Sequence, residues 1–431
     1  MVCLSGATRR VCAHVALLLF GVVPFGICSL AQISGSEVDS RYATAKSTDD
    51  VAILAAKINS GEFKLAYEPN QGYLRSLLDL LHVSKSSQIL VFSKTSIQSA
   101  YISPQSPRAV YFNDRTYVGW IRGAPNLEFA SIDPKIGPIF YTLANEPAQK
   151  PRLVRQTDEC LQCHNSSLTG NVPGFLARSV YAGPDGTPKL AGGSYNTTPA
   201  SPIKERWGGW YVTGVHGDQR HMGNEVARGD DQNPTLDTEK GANVTRLNGY
   251  FDVEAYLTPH SDIVALMVAE QQMRIQNLIT KASYQTEKAI QDAKELRKFG
   301  FTEAHVAEST RDRIKNVCDP LVLALTDADE APLTSPIKGT SKFTETFSAS
   351  APADQKGRRL SELDLTSRLM KYPCSPMIYS PSFAALPSEA RDYVLQHLKE
   401  LLSGRDQSAQ IALKILSETL PRSASHELEG Q

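Results

Sequence analysis

The sequence predicts an α+β chain: an antiparallel sheet carrying the chemistry, followed by a helical C-terminal part. Three observations predict it. Short apolar runs alternate with turn residues between 87 and 143, helix-period apolar stripes replace them beyond 258, and Gly- and Pro-rich hairpin signals lie between. The 431 residues are 41% hydrophobic and 21% charged, which excludes pervasive disorder and coiled coil. A formal charge of −1 excludes a basic field for nucleic acid.

The chain opens on Arg9 and Arg10, then an apolar run from Val11 to Ile27 and the small-residue site Ser29-Leu30-Ala31. That is the order of an export signal over residues 1–31. His14 and Pro24 interrupt the run, so no membrane span is expected once the signal is removed, and the destination is the periplasm. Cleavage would remove two Arg and no acids, leaving 43 basic against 46 acidic residues, a charge of −3. Cys3, Cys12 and Cys28 would leave with it.

An N-terminal helical segment (32–85) is expected next, with Tyr73–Leu81 in helical period. A β-rich domain (86–250) follows. Its strands are read at 88–92, 109–112, 117–122, 127–132 and 138–143, separated by Asn113-Asp114, Gly123–Asn126 and Asp133-Pro134. Phe175–Tyr181 and Lys189–Ser194 flank Pro184-Asp185-Gly186 as a hairpin, and Trp210–Val215 is the last strand. A helical segment (251–320) is expected to start at Thr258-Pro259 as cap and first residue and to run to about Lys298, with another helix over Glu303–Val317. Residues 321–360 read as a flexible loop. Residues 361–431 read as helices over Ser361–Met370 and Ser388–Leu402, with a disordered tail from Arg422.

Cys160-Leu161-Gln162-Cys163-His164 carries the chemistry. Two thiols separated by two residues can each reach a vinyl group of one porphyrin, and the following imidazole can bind its iron. One haem c per chain is therefore expected, on Cys160 and Cys163, with His164 as the proximal iron ligand. A dithiol redox pair would want a strand before the motif and a helix after it, whereas Asn165–Gly174 reads as loop. Zinc would need a second ligand pair, and no other C-x-x-C exists. The sixth ligand is expected among His216, His221 and Met222, the last 58 residues after His164; an open iron face is the alternative. Arg178, Arg206 and Arg220 are candidate partners for the haem propionates. Cys318 and Cys374 could be bridged in an oxidising compartment, or stand as two buried thiols.

Longer stretches add a resemblance: Ser87–Ser96 (SQILVFSKTS), Pro107–Asp114 (PRAVYFND), Tyr117–Trp120, CLQCH, Arg206–Gly214 (RWGGWYVTG), His221–Asn224 (HMGN) and Tyr372–Cys374. Together they resemble an exported, largely uncharacterised family of bacterial monohaem c-type cytochrome-like proteins, over most of the mature chain. The resemblance implies a periplasmic haem protein and brings no substrate with it. Gln271 stands where relatives often have His, a departure that bears on any helix-borne haem ligand. More weakly, the chain is similar to haem-containing PAS-like sensor domains. The first functional expectation is electron transfer with a redox partner protein or the quinone pool. A ligand-binding or sensor domain is the second, and a peroxidase-like haem enzyme subunit the third.

Overall fold

The computed structural model describes residues 35–421, so the export signal and the tail from Arg422 lie outside the described residues. The expected α+β architecture is present: a seven-stranded antiparallel sheet with a helical C-terminal part. None of the helices among the described residues is long and apolar enough to cross a membrane.

From the second strand to the sixth the sheet is a meander, with Asn, Asp, Gly and Pro between the strands turning the chain. Its strands are β1 Ile89–Val91, β2 Arg108–Phe112, β3 Thr116–Trp120, β4 Asn126–Asp133, β5 Gly137–Ala144 and β6 Leu153–Arg155, with β9 Trp210–Tyr211 added beside β1. Their order is β6-β5-β4-β3-β2-β1-β9. At the β2–β3 turn the Asn113 side chain accepts from the backbone N–H of Arg115 and Thr116, at 2.9 and 2.8 Å. Strands β7 Arg178–Val180 and β8 Ser194–Asn196 pair separately; the second strand begins at Ser194, where the expected Lys189–Ser194 ends, because Leu190–Gly192 closes into a 3-10 turn and Gly193 takes a positive φ. The C-x-x-C-H motif lies between β6 and β7.

Period two decides what each face of the sheet covers. Tyr141 points to the N-terminal helices α1 Gly35–Thr44 and α2 Asp50–Ser60, where its hydroxyl donates to Asp49 at 2.6 Å. Phe140 points the other way, in a cross-strand row with Ala130, Tyr117 and Phe112. That row lies towards the motif loop and α5 Ile263–Lys298, whose Gln272 accepts from the Tyr117 hydroxyl at 3.5 Å.

Helix α5 begins four residues later than the Thr258-Pro259 pair suggests. The Gln88 amide donates to the carbonyls of Thr258 and His260, at 2.8 and 2.7 Å, and holds that segment extended. Asp262 is the cap instead, accepting from Val264 N–H at 2.8 Å. The next helix, α6 Glu303–Leu325, runs past the expected end at Val317 and through Pro320, because Leu321, Val322 and Leu325 are buried beyond it. The expected helix over 361–370 is not formed. Asp364 accepts from the N–H and hydroxyl of Ser367, Leu365 takes a left-handed conformation, and the segment folds back on itself, Leu363 opposite Met370. Segment 321–360, expected to be loose, is pinned instead. Phe343 of α7 Phe343–Ser348 packs on Phe112 at 5.6 Å, and Asp262 accepts from Thr340 N–H, Ser341 N–H and the Ser341 hydroxyl. Helices α8 Pro381–Ala384, α9 Ser388–Ser403 and α10 Gln407–Thr419 complete the chain. With the middle of α5 and with α6 they enclose a second core. Cys318 and Cys374 lie in it as two buried free thiols, with no bond between them.

Asp262 thus caps α5 and fastens the 340–341 loop with one carboxylate, and it is fully buried. Asp262→Ala is expected to cost roughly 2–5 kcal/mol, the sum of a lost cap and of stranded backbone donors. Asp262→Asn, which keeps the capping oxygen, is expected to cost less; denaturant midpoints of the two variants give the comparison.

Candidate functional site

The motif follows edge strand β6 and forms one short turn of helix, α4 Leu161–His164, anchored by the buried Leu161. Cys163 is exposed and Cys160 half-buried, both as free thiols. Burial pushes the Cys160 thiol up to about 11, and the nearby Glu128 and Glu159 carboxylates push the same way. It is therefore a neutral thiol at physiological pH.

The His164 imidazole is fixed at two points. Its ring lies 4.5 Å from that of Phe140, and its Nδ1 donates to the carbonyl of Gly174 at 2.8 Å. The second contact fixes the tautomer: with the proton on Nδ1, the Nε2 lone pair points elsewhere and is unprotonated. No hydrogen bond to a described residue engages that Nε2. Burial lowers the His164 pKa, so the ring is held neutral, as an iron ligand must be.

Gly174 is itself held in place. The Asn277 amide of α5 accepts from Phe175 N–H at 2.7 Å and donates to Phe175 C=O at 2.9 Å. Phe175 packs on Tyr117 at 4.7 Å. A side-chain carbon on Gly174 would approach the Asn277 oxygen to 2.7 Å, so glycine is the residue that lets the loop lie this close to α5. One position along the sheet, Glu128 lies across Gly119 of β3 to pair with Arg108 at 2.9 Å, and accepts from Ser96 and Gln98 at 2.8 and 2.9 Å. None of Phe140, Gly174, Asn277, Arg108 and Glu128 was singled out from the sequence. Pro173-Gly174, ten residues after the motif, was the one local signal.

The candidate sixth ligands sit elsewhere, around Trp207. His216, His221 and Met222 are buried, and the two imidazoles lie 4.7 Å apart. None shares a hydrogen bond or ring contact with His164. His216 donates from Nδ1 to Gln219 C=O at 2.8 Å and accepts at Nε2 from Asn243 N–H at 2.9 Å, so both nitrogens are engaged. His221 accepts at Nδ1 from Gly223 N–H at 3.0 Å, which places its proton on Nε2, and that atom is buried without a partner. Ligation through Nε2 would thus require giving up the Gly223 bond. The Met222 sulfur accepts from the Ser179 hydroxyl at 3.6 Å. Of the three histidines, His164 alone holds a ligand-ready tautomer.

The arginines differ as sharply. Arg206 is buried and spent: Nε and Nη2 donate to Ser201 C=O, Nη2 also to Pro199 C=O, and Nη1 pairs with buried Glu270 at 3.2 Å. Burial raises the Glu270 carboxyl and Arg206 restrains that rise. Arg220 pairs with Glu239 at 2.7 Å and donates to Gly217 C=O and Gln219 C=O. Arg178 keeps the most freedom, with one donor on Ser194 at 2.6 Å. Gln271 is buried too, donating to Asp327 at 2.7 Å and accepting from Ser375 at 3.0 Å. Among the described residues no group of three or more His, Cys, Asp or Glu side chains could hold a metal ion. The chain matches no family model, no curated protein and no solved structure.

Two outcomes follow from the buried groups. Glu270→Ala leaves Arg206 buried and uncompensated and is expected to cost about 3–5 kcal/mol in denaturant unfolding, with Glu270→Gln milder. Burial pushes His221 down to about 3 from 6.5, so the native haem-free chain cannot take the proton that the unfolded chain binds. Its contribution to stability is complete above about pH 6.5 and is lost as the pH falls towards 3. His221→Asn, which keeps an acceptor for Gly223 N–H, is expected to flatten that part of a midpoint-against-pH curve.

Proposed function

We propose that the chain is an exported monohaem c-type cytochrome-like protein that passes single electrons to and from a redox partner. The observation that carries this reading is the state of His164: neutral, Nδ1 tied to Gly174, Nε2 hydrogen-bonded to none of the described residues, and next to two free thiols in C-x-x-C-H spacing. The donor set fits haem c. Cys160 and Cys163 would hold it through thioethers, and His164 would bind iron through Nε2. When bound, haem c supplies a one-electron iron couple.

The chain's own residues would do the rest. Gly174 orients the imidazole and, by accepting its N–H, makes Nε2 more basic. Phe140 packs against the ring from the sheet side. Cys160 also argues against thiol–disulfide catalysis. Such a pair needs a depressed thiol pKa, and here burial and two carboxylates raise it.

A second reading, ligand binding or sensing at an open iron face, draws support from the engaged state of His216 and Met222. Maturation in a host with a haem-attachment system tests both. The expected product carries one haem in mass, shows a Soret band and a c-type pyridine haemochrome, and loses attachment in Cys160→Ala with Cys163→Ala. A product with the mass of the polypeptide alone overturns the proposal. A ferrous form indifferent to CO supports electron transfer, and one that binds CO supports the second reading.

A further inference from the structure

Of the arginines expected to meet haem propionates, Arg206 and Arg220 are already paired. Another arginine stands beside the motif. The sheet face that carries Phe140 continues along β5 to Thr142, which the register places in one row with Glu128, Gly119 and Val110. Arg108 is the next residue of β2 on that face, four residues, or about 14 Å of strand, from Phe112 in the row of Phe140. Its side chain covers part of that distance, and with Glu128 it acts electrostatically on both Cys160 and His164. The row is uncovered towards the sheet edge, where Val154, level with Thr142, is 52% exposed.

Arg108 is held in place but not used up. Its Nη1 pairs with Glu128 at 2.9 Å, and Ser96 and Gln98 donate to the same carboxylate at 2.8 and 2.9 Å. The charge of Glu128 is thus taken up by three donors. Arg108 Nη2 hydrogen-bonds to none of the described residues and is not sealed from solvent, and the side chain is 26% exposed. A guanidinium that gives one nitrogen to one carboxylate keeps N–H groups on the other for a second. Glu159, ahead of the motif, is the remaining charge that acts on Cys160, and it is exposed.

We infer that Arg108 holds a haem propionate through Nη2, with Glu128 as the positioning residue that aims the guanidinium. The inference rests on the haem-binding reading above and adds to it the residue that the acidic edge of the porphyrin meets.

Redox titration of the mature haem-loaded protein from pH 5 to 8 tests it. An ion-paired propionate stays ionised across that range, so the midpoint potential of the unaltered protein is expected to be flat. A nearby cation favours the more negative ferrous state. Arg108→Gln is therefore expected to lower the potential at pH 7 by about 60 mV, tenfold in the one-electron equilibrium. It is also expected to make the potential rise as the pH falls, because the released propionate then titrates. Arg108→Gln combined with Glu128→Gln separates two roles and leaves no charge unpaired: the slope persists if Arg108 meets a propionate and vanishes if it only neutralises Glu128. Arg178→Gln is expected to keep the flat profile. A sloping profile in the unaltered protein, a flat one in the double variant, or a slope that appears in Arg178→Gln instead would each overturn the assignment with the haem still attached. A chain that takes up no haem overturns the haem reading itself.

Discussion

The hydrogen bond from His164 Nδ1 to the Gly174 carbonyl is the constraint on which the candidate site depends. It converts an imidazole with two interchangeable nitrogens into one with a single outward lone pair. Everything around it serves that contact. The Asn277 amide clamps the backbone at Phe175, and Phe175 leans on Tyr117. Phe140 supports the ring from the sheet. Because Tyr117 and Phe140 occupy one cross-strand row, the meander register sets where the imidazole sits. A slip of one residue in β5 would present Tyr141, whose hydroxyl is already committed to Asp49 on the opposite face.

The buried polar groups divide into those that hold structure together and those left with capacity. Arg206 and Glu270 meet each other, backbone carbonyls and the Thr197 hydroxyl, and Asp262 is met by backbone N–H groups and the Ser341 hydroxyl; removing any one of the three strands its partners. His221 Nε2 and Gln276 Oε1 are different: each is buried, correctly oriented and unmatched. The first lies beside Trp207, and the second sits on α5 with its amide nitrogen on Thr280.

The sheet was legible from the sequence because its strands are short, apolar and separated by Asn, Asp, Gly and Pro, signals that act within a few residues. The long helix was legible from its stripe, but its start was not, because Gln88, 170 residues before Thr258, decides where the extended segment ends. Ser361–Met370 has helical spacing, yet Asp364 and Ser367 bond locally and win. The motif was legible as chemistry. Its supporting contacts were not, since Phe140, Arg108, Glu128 and Asn277 reach the motif loop only through pairing across the sheet and along α5. The surroundings of His216 and Met222 likewise depend on Asn243 and Ser179, 27 and 43 residues away in the chain.

Helix α5 has a consequence of its own. At 36 residues it is about 54 Å long. Its first turns, with Val264, Leu266 and Met267, belong to the core against the sheet, while Ile275, Ile279 and Ala282 belong to the core among the C-terminal helices. One helix is thus shared by both apolar interiors, and neither can melt without freeing a stretch of it. The two interiors are thereby coupled through one helix, and Asn277, which holds the motif loop, stands on the stretch of α5 where they meet.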